Sequence, residues 1–163
     1  MEIQNISDKI DRYFNAKNEA REKALVHSRH AIQHSGKAIR AIHRGENAQA
    51  EKLLKDARDD LDRCEEFLRE HPGIFYAGFV QDAQKEYAEG MATWSLIKNK
   101  SLPDPETLGV NYAPYVNGIA EAIGELRRHI LDLIREGKPE DGEELLEFMD
   151  EIFYLLVSLD YPD

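Results

Sequence analysis

The sequence predicts an all-α fold, an antiparallel bundle of about five helices led by a long first one. Three observations predict it. Apolar residues recur at spacings of three, four and seven along every long segment, the period of a helix with one buried face. No stretch alternates with the period of two that marks a strand. Glycine and proline, ten and six in 163 residues, cluster at four breaks: Gly45-Glu46-Asn47, Pro72-Gly73, Pro103-Asp104-Pro105 and Gly137-Lys138-Pro139.

The first segment, Ser7 to Arg44, carries Ile10, Tyr13, Phe14, Ala24, Leu25, Ala31, Ile32, Ala38, Ile39 and Ile42 on one stripe. At ~1.5 Å per residue it spans about 55 Å, longer than a compact domain, so its ends are expected to pack against another subunit. The second, Asn47 to His71, is capped by Asn47 and stopped by Pro72-Gly73. The third runs from Ile74 to Asn99. Asp104 to Leu108 reads as a short helical turn opened by Pro105. The fourth runs from Pro114 to Glu136 and the fifth from Pro139 to Leu159. The second half of the fifth is apolar nearly all round, so neighbours, including ones from another chain, are expected to bury it.

Length and composition predict one domain over residues 1–163. No apolar run approaches the ~20 residues of a membrane span, and no signal peptide is visible. A single cysteine, Cys64, excludes an internal disulfide and a cysteine-based zinc site. It also predicts a reducing, cytoplasmic setting. The net charge is −11, yet residues 1–44 hold nine basic and five acidic side chains. A basic arm on an acidic body fits a polyanion held in one place.

Two carboxylate pairs fit metal chemistry. Glu86 and Glu89 lie three apart on the third helix, and Glu121 and Glu125 four apart on the fourth. Both spacings place the pair on one helix face, with Asp82 a turn before Glu86. Gly90, with Gly118 or Gly124, would let the two helices approach closely. Facing pairs of hard oxygen ligands suit Mg²⁺ or Mn²⁺. Acidic runs elsewhere, such as Asp59-Asp60-Asp62, read as solvated surface. His27, His30 and His34 share a face that could take a transition metal. Their neighbours Arg21, Arg29 and Lys37 favour a phosphate-facing stripe instead.

Four stretches resemble the family of translin and translin-associated protein X. They are Asn18-Glu19-Ala20-Arg21-Glu22, Gln84-Lys85-Glu86-Tyr87-Ala88-Glu89, the segment Pro105 to Val110 ending Leu-Gly-Val, and Tyr115 to Leu126 with its Gly-Ile-Ala-Glu-x-x-Gly-Glu-Leu motif. The resemblance spans nearly the whole chain in order.

It implies an all-helical protein that assembles into a closed barrel, octamer-like, around single-stranded RNA or single-stranded DNA. The X-type members add a Mg²⁺-dependent endoribonuclease site of four carboxylates, which fall here on Glu86, Glu89, Glu121 and Glu125. The family commonly has Asp where this chain has Glu121. All four acids being present places the chain nearer the X-type nuclease than the binding-only members, whose function is the alternative reading. Arg21 matches a family position on the nucleic-acid surface, and helical spacing extends that surface to Arg29, Lys37 and Arg40. Family members usually continue past Asp163 with one more helix, so this chain is expected to lack it.

Overall fold

In a computed structural model that describes residues 2–161, every regular element is helical and no strand occurs among the described residues. α1 (Glu2–His43) runs 42 residues without interruption, about 63 Å at ~1.5 Å per residue. It starts five residues before the expected Ser7. Gly45 ends the turn after it with φ +72°, a left-handed conformation costly for any residue with a Cβ. α2 (Asn47–Leu68) stops three residues short of the expected His71. Pro72 disfavours helical dihedrals at the residue before it, and His71 has φ −133° and ψ 61°.

The segment expected to be one third helix is two. α3 (Pro72–Phe75) is a single turn, and extended backbone at Ala77 separates it from α4 (Gly78–Asn99). α5 (Pro105–Leu108) falls where Pro105 predicts it, and the Asp104 carboxylate accepts the Thr107 N–H at its start. α6 (Tyr112–Arg135) begins two residues early, with Pro114 still in its first turn, where a missing N–H costs nothing. A 3₁₀ turn over Pro139–Gly142 leads into α7 (Glu143–Val157).

The five long helices run up and down. α2 returns along α1, so Cys64 Sγ donates to the Ala24 carbonyl oxygen at 3.3 Å. α4 packs on α1 and α6 on α4, with α7 against α6. The main core joins Ala31 of α1, Leu61 of α2, Tyr87, Ala88 and Leu96 of α4, and Ile119 and Leu126 of α6. Buried Gln84 fixes the start of α6 against α4 by accepting the Asn111 N–H at 3.0 Å.

Two apolar faces stay uncovered within the chain. Ile3, Ile6, Ile10, Tyr13 and Phe14 stand exposed along the first half of α1, before its first fully buried residue, Ala24. On α7 only Leu145 and Ile152 are buried, while Phe153, Tyr154, Leu155 and Val157 face outward. The expected burial of the second half of α7 is thus not met inside one chain, because α6 covers one side and no further helix among the described residues covers the other. Among the described residues no helix is long and apolar enough to cross a membrane.

Candidate metal centre

The site forms where α4 and α6 come closest. That closeness depends on Gly118. A Cβ there would stand 2.7 Å from the Lys85 carbonyl oxygen and 2.8 Å from the Ala88 Cβ, distances real Cβ atoms do not keep. The other two glycines weighed for this role do different work. Gly90 faces Leu54 of α2 and Ser35 of α1, and Gly124 faces open space.

At the crossing, oxygens of Glu86, Glu89 and Glu121 lie within 4.8 Å of one another. Glu89 is the buried member, 8% exposed. Its carboxyl is pushed up from 4.5 to about 7, first by burial and then by the charges of Glu86, Glu121 and Glu125. The Lys85 ammonium bridges the cluster, 2.9 Å from Glu121 and 3.2 Å from Glu86. Bonding to Glu121 first, then Glu86, raises the lysine above its ordinary value.

Glu125 is near enough to raise Glu89 but does not join the three. Its Oε2 meets His43 Nε2 at 2.5 Å, so the last turn of α1 holds it. The His43 side chain is only 4% exposed, and its Nδ1 has no partner among the described residues. The ring of His129, one turn after Glu125, lies tilted at 42° to the His43 ring with centroids 6.4 Å apart, and burial lowers its pKa below the ordinary value. Asp82 is exposed and stands outside the cluster. Sequence reasoning missed Lys85 and His43. Lys85 could have been found within the quoted Gln84–Glu89 stretch, but nothing local ties His43 to a residue 82 positions away.

Among the described residues no ion pair joins the predicted basic residues to the carboxylates. Arg21, Arg29, Lys37 and Arg40 are all exposed on α1. Arg29, Lys37 and Arg40 fall within about 80° of helical arc, and Arg21 is offset by about 80° from Arg29. Arg21 pairs with Glu22 at 2.7 Å and lies over the Phe79 ring of α4 at 5.9 Å. The histidines are not the phosphate-facing stripe that sequence reasoning favoured. His27 and His34 turn their Nδ1 atoms to Asp60 of α2, at 2.7 and 3.0 Å. Asp60 in turn is not solvated surface, because α1 covers it to 12% exposure.

The donor set suits a hard divalent cation. Three carboxylates in one cluster, one of them with its carboxyl pushed up by burial and by its neighbours, carry excess negative charge that a divalent cation relieves. Lys85 already occupies the position of such a charge.

No family model matches the chain. The solved structure described as the AfC3PO–duplex RNA complex matches with a TM-score of 0.83 at 31% identity, over 100% of this chain and 82% of that one. AfC3PO alone gives 0.81 at 32% identity, over 97% and 80%. Apo-NeC3PO gives 0.85 at 20% identity, over 98% and 84%, which shows the shared fold. An uncharacterized protein of Methanocaldococcus jannaschii is 23% identical over 154 residues, 91% of this chain and 67% of that protein. The class is therefore the all-helical translin fold. At the identity and coverage shared with AfC3PO, the chain belongs to the C3PO family of translin-like proteins.

Proposed function

We propose that the protein is a single-stranded-RNA-binding, Mg²⁺-dependent endoribonuclease of X type, with single-stranded DNA as a second ligand. The observation that carries this reading is the Glu86–Glu89–Glu121 cluster at the Gly118 crossing. Glu86, Glu89 and Glu121 would hold Mg²⁺ or Mn²⁺, and Glu125, kept beside them by His43, would complete the set. When bound, the metal supplies a Lewis acid that neutralises phosphodiester charge and lowers the pKa of water.

The chain's own side chains do the rest. Lys85 balances the cluster and gives up its place on Glu86 and Glu121. One of the four carboxylates takes the proton from attacking water at an Oε atom. Arg21, Arg29, Lys37 and Arg40 hold phosphates by charge without reading bases. The uncovered faces of α1 and α7 pack against further copies in a closed, octamer-like assembly, which the solution mass of the full chain checks.

Cleavage of a labelled single-stranded RNA, with Mg²⁺ and with EDTA, tests the reading. Mg²⁺-dependent cutting lost in Glu89→Gln supports it. Because AfC3PO was solved with duplex RNA, a short duplex is the matched competitor. The second reading, a non-catalytic RNA-binding oligomer, is favoured by Lys85, which can neutralise the carboxylates without a metal. Binding without cutting would establish it.

A further inference from the structure

A second cluster of ligating side chains lies away from the carboxylates, between α1 and α2. His27, His30 and His34 stand at i, i+3 and i+7 on α1 and share one partner, Asp60 of α2. His27 Nδ1 is 2.7 Å from Asp60 Oδ1, and His34 Nδ1 is 3.0 Å from Oδ2. His30 Nδ1 stands 3.8 Å from Oδ1, too far for a hydrogen bond, and half of its side chain is exposed. One donor atom from each of His27, His30 and Asp60 falls within 4.8 Å of the other two.

We propose that His27, His30 and Asp60 form a transition-metal site, for Zn²⁺ or a metal of similar preference, that fastens α1 to α2. Two imidazoles and one carboxylate make a mixed nitrogen and oxygen set. It differs from the all-oxygen centre at the α4–α6 crossing. His34 is a positioning residue, since its bond to Oδ2 leaves Oδ1 turned to the other two histidines. The fourth coordination position opens to solvent beside His30.

Sequence reasoning set a metal aside here because cations crowd the same helix. The structure answers that objection in part: Arg29 and Lys37 stay exposed on α1, but the charges nearest the histidines are paired or acidic. Arg21 is paired with Glu22 and Arg63 with Glu66. The depression beside the histidines is lined by Asp56, Asp59 and Asp60 against the single cation Arg63, so it favours a positive guest. The site sits one turn past Ala24, where α1 leaves the packed body and continues with its apolar stripe exposed. A metal there would set the angle at which the free half of α1 departs.

The test is Zn²⁺ binding to the chelator-stripped full chain by calorimetry, with Co²⁺ absorption as a readout of ligand geometry. We expect one Zn²⁺ per chain at micromolar affinity or tighter, kept in the Glu89→Gln, Glu121→Gln double variant. His30→Ala should abolish it, and His34→Ala should weaken it about 10- to 100-fold. His30 is half exposed, so its loss leaves folding intact, which far-UV circular dichroism verifies. Uptake that survives His30→Ala and follows the carboxylate variant would overturn the proposal. So would no uptake by the parent. The RNA reading is tested separately, by cleavage, so failure here and failure there are distinguishable.

Discussion

The ammonium of Lys85 on α4 lies 2.9 Å from Oε1 of Glu121 on α6. This contact closes the carboxylate cluster with a positive charge the protein itself supplies. A divalent cation bound at this cluster would therefore have to displace it.

Lys85→Met should bind Mn²⁺ more tightly than the parent, because no ammonium competes. In EDTA at pH 8 the same variant should be less stable by about 1 kcal/mol, the worth of a partly exposed ion pair. Adding Mg²⁺ should restore the melting temperature. Thermal melts with and without metal read both effects. Unchanged melts and unchanged Mn²⁺ affinity would remove Lys85 from the site.

Glu89 makes stability depend on pH in a specific direction. Its folded pKa of about 7 lies above the ordinary 4.5, so the folded state holds this proton more tightly than the unfolded one. Ionising it costs nothing below pH 4.5, costs progressively more up to pH 7, and levels off above that. The full cost is about 3 kcal/mol. Glu89→Gln should therefore be more stable than the parent at pH 8 without metal. The gain should shrink to near zero at pH 4.5. Denaturant melts at the two pH values measure it, and a gain independent of pH would contradict the assignment.

Gly118→Ala should destabilise the protein by about 1–3 kcal/mol, because its Cβ would overlap backbone atoms of α4 that cannot turn aside. Separating the helices would also open the carboxylate cluster and weaken Mn²⁺ binding. Gly124→Ala is the matched control, since its Cβ meets nothing within 4 Å. It should be neutral or slightly stabilising. Equal effects at both positions would mean that the close crossing does not govern the site.

Binding of RNA should weaken steeply with salt. Replacing Arg29, Lys37 and Arg40 together with Gln should flatten the slope of log K against log[salt] by about 2, at ~0.7 for each single-strand phosphate no longer neutralised. Fluorescence anisotropy across a salt series reads the slope. A slope that does not change would place the phosphate-binding surface elsewhere than on α1.

Much of the fold was legible because its signals are local. Pro72, Pro105, Gly45 and Gly137 act on their own backbone, so the sequence located all four breaks to within a few residues. The miss at Ala77 is also local. Nothing in its side chain announces the extended dihedrals that split α3 from α4. The Glu86–Glu89 pair was legible because i, i+3 on one helix fixes a common face.

What joins distant segments was decided by tertiary structure. The spacing of Glu121 and Glu125 put both on one face. Packing of α1 against the bundle brought His43 within reach of Glu125, which stands beside the other three acids but outside their cluster. The three histidines read as a stripe beside cations until α2 covered them with Asp60. Gly90 and Gly118 look alike in sequence, but only Gly118 lies at the α4–α6 crossing. Helix period and backbone restriction depend on neighbours along the chain, so the sequence by itself determined the helices, their order and the faces that carry charge. The partner of each charged side chain depends on which helices pack together and at what register. Only the folded chain decides that, and it also turns four scattered carboxylates into a cluster of three and a fourth held apart.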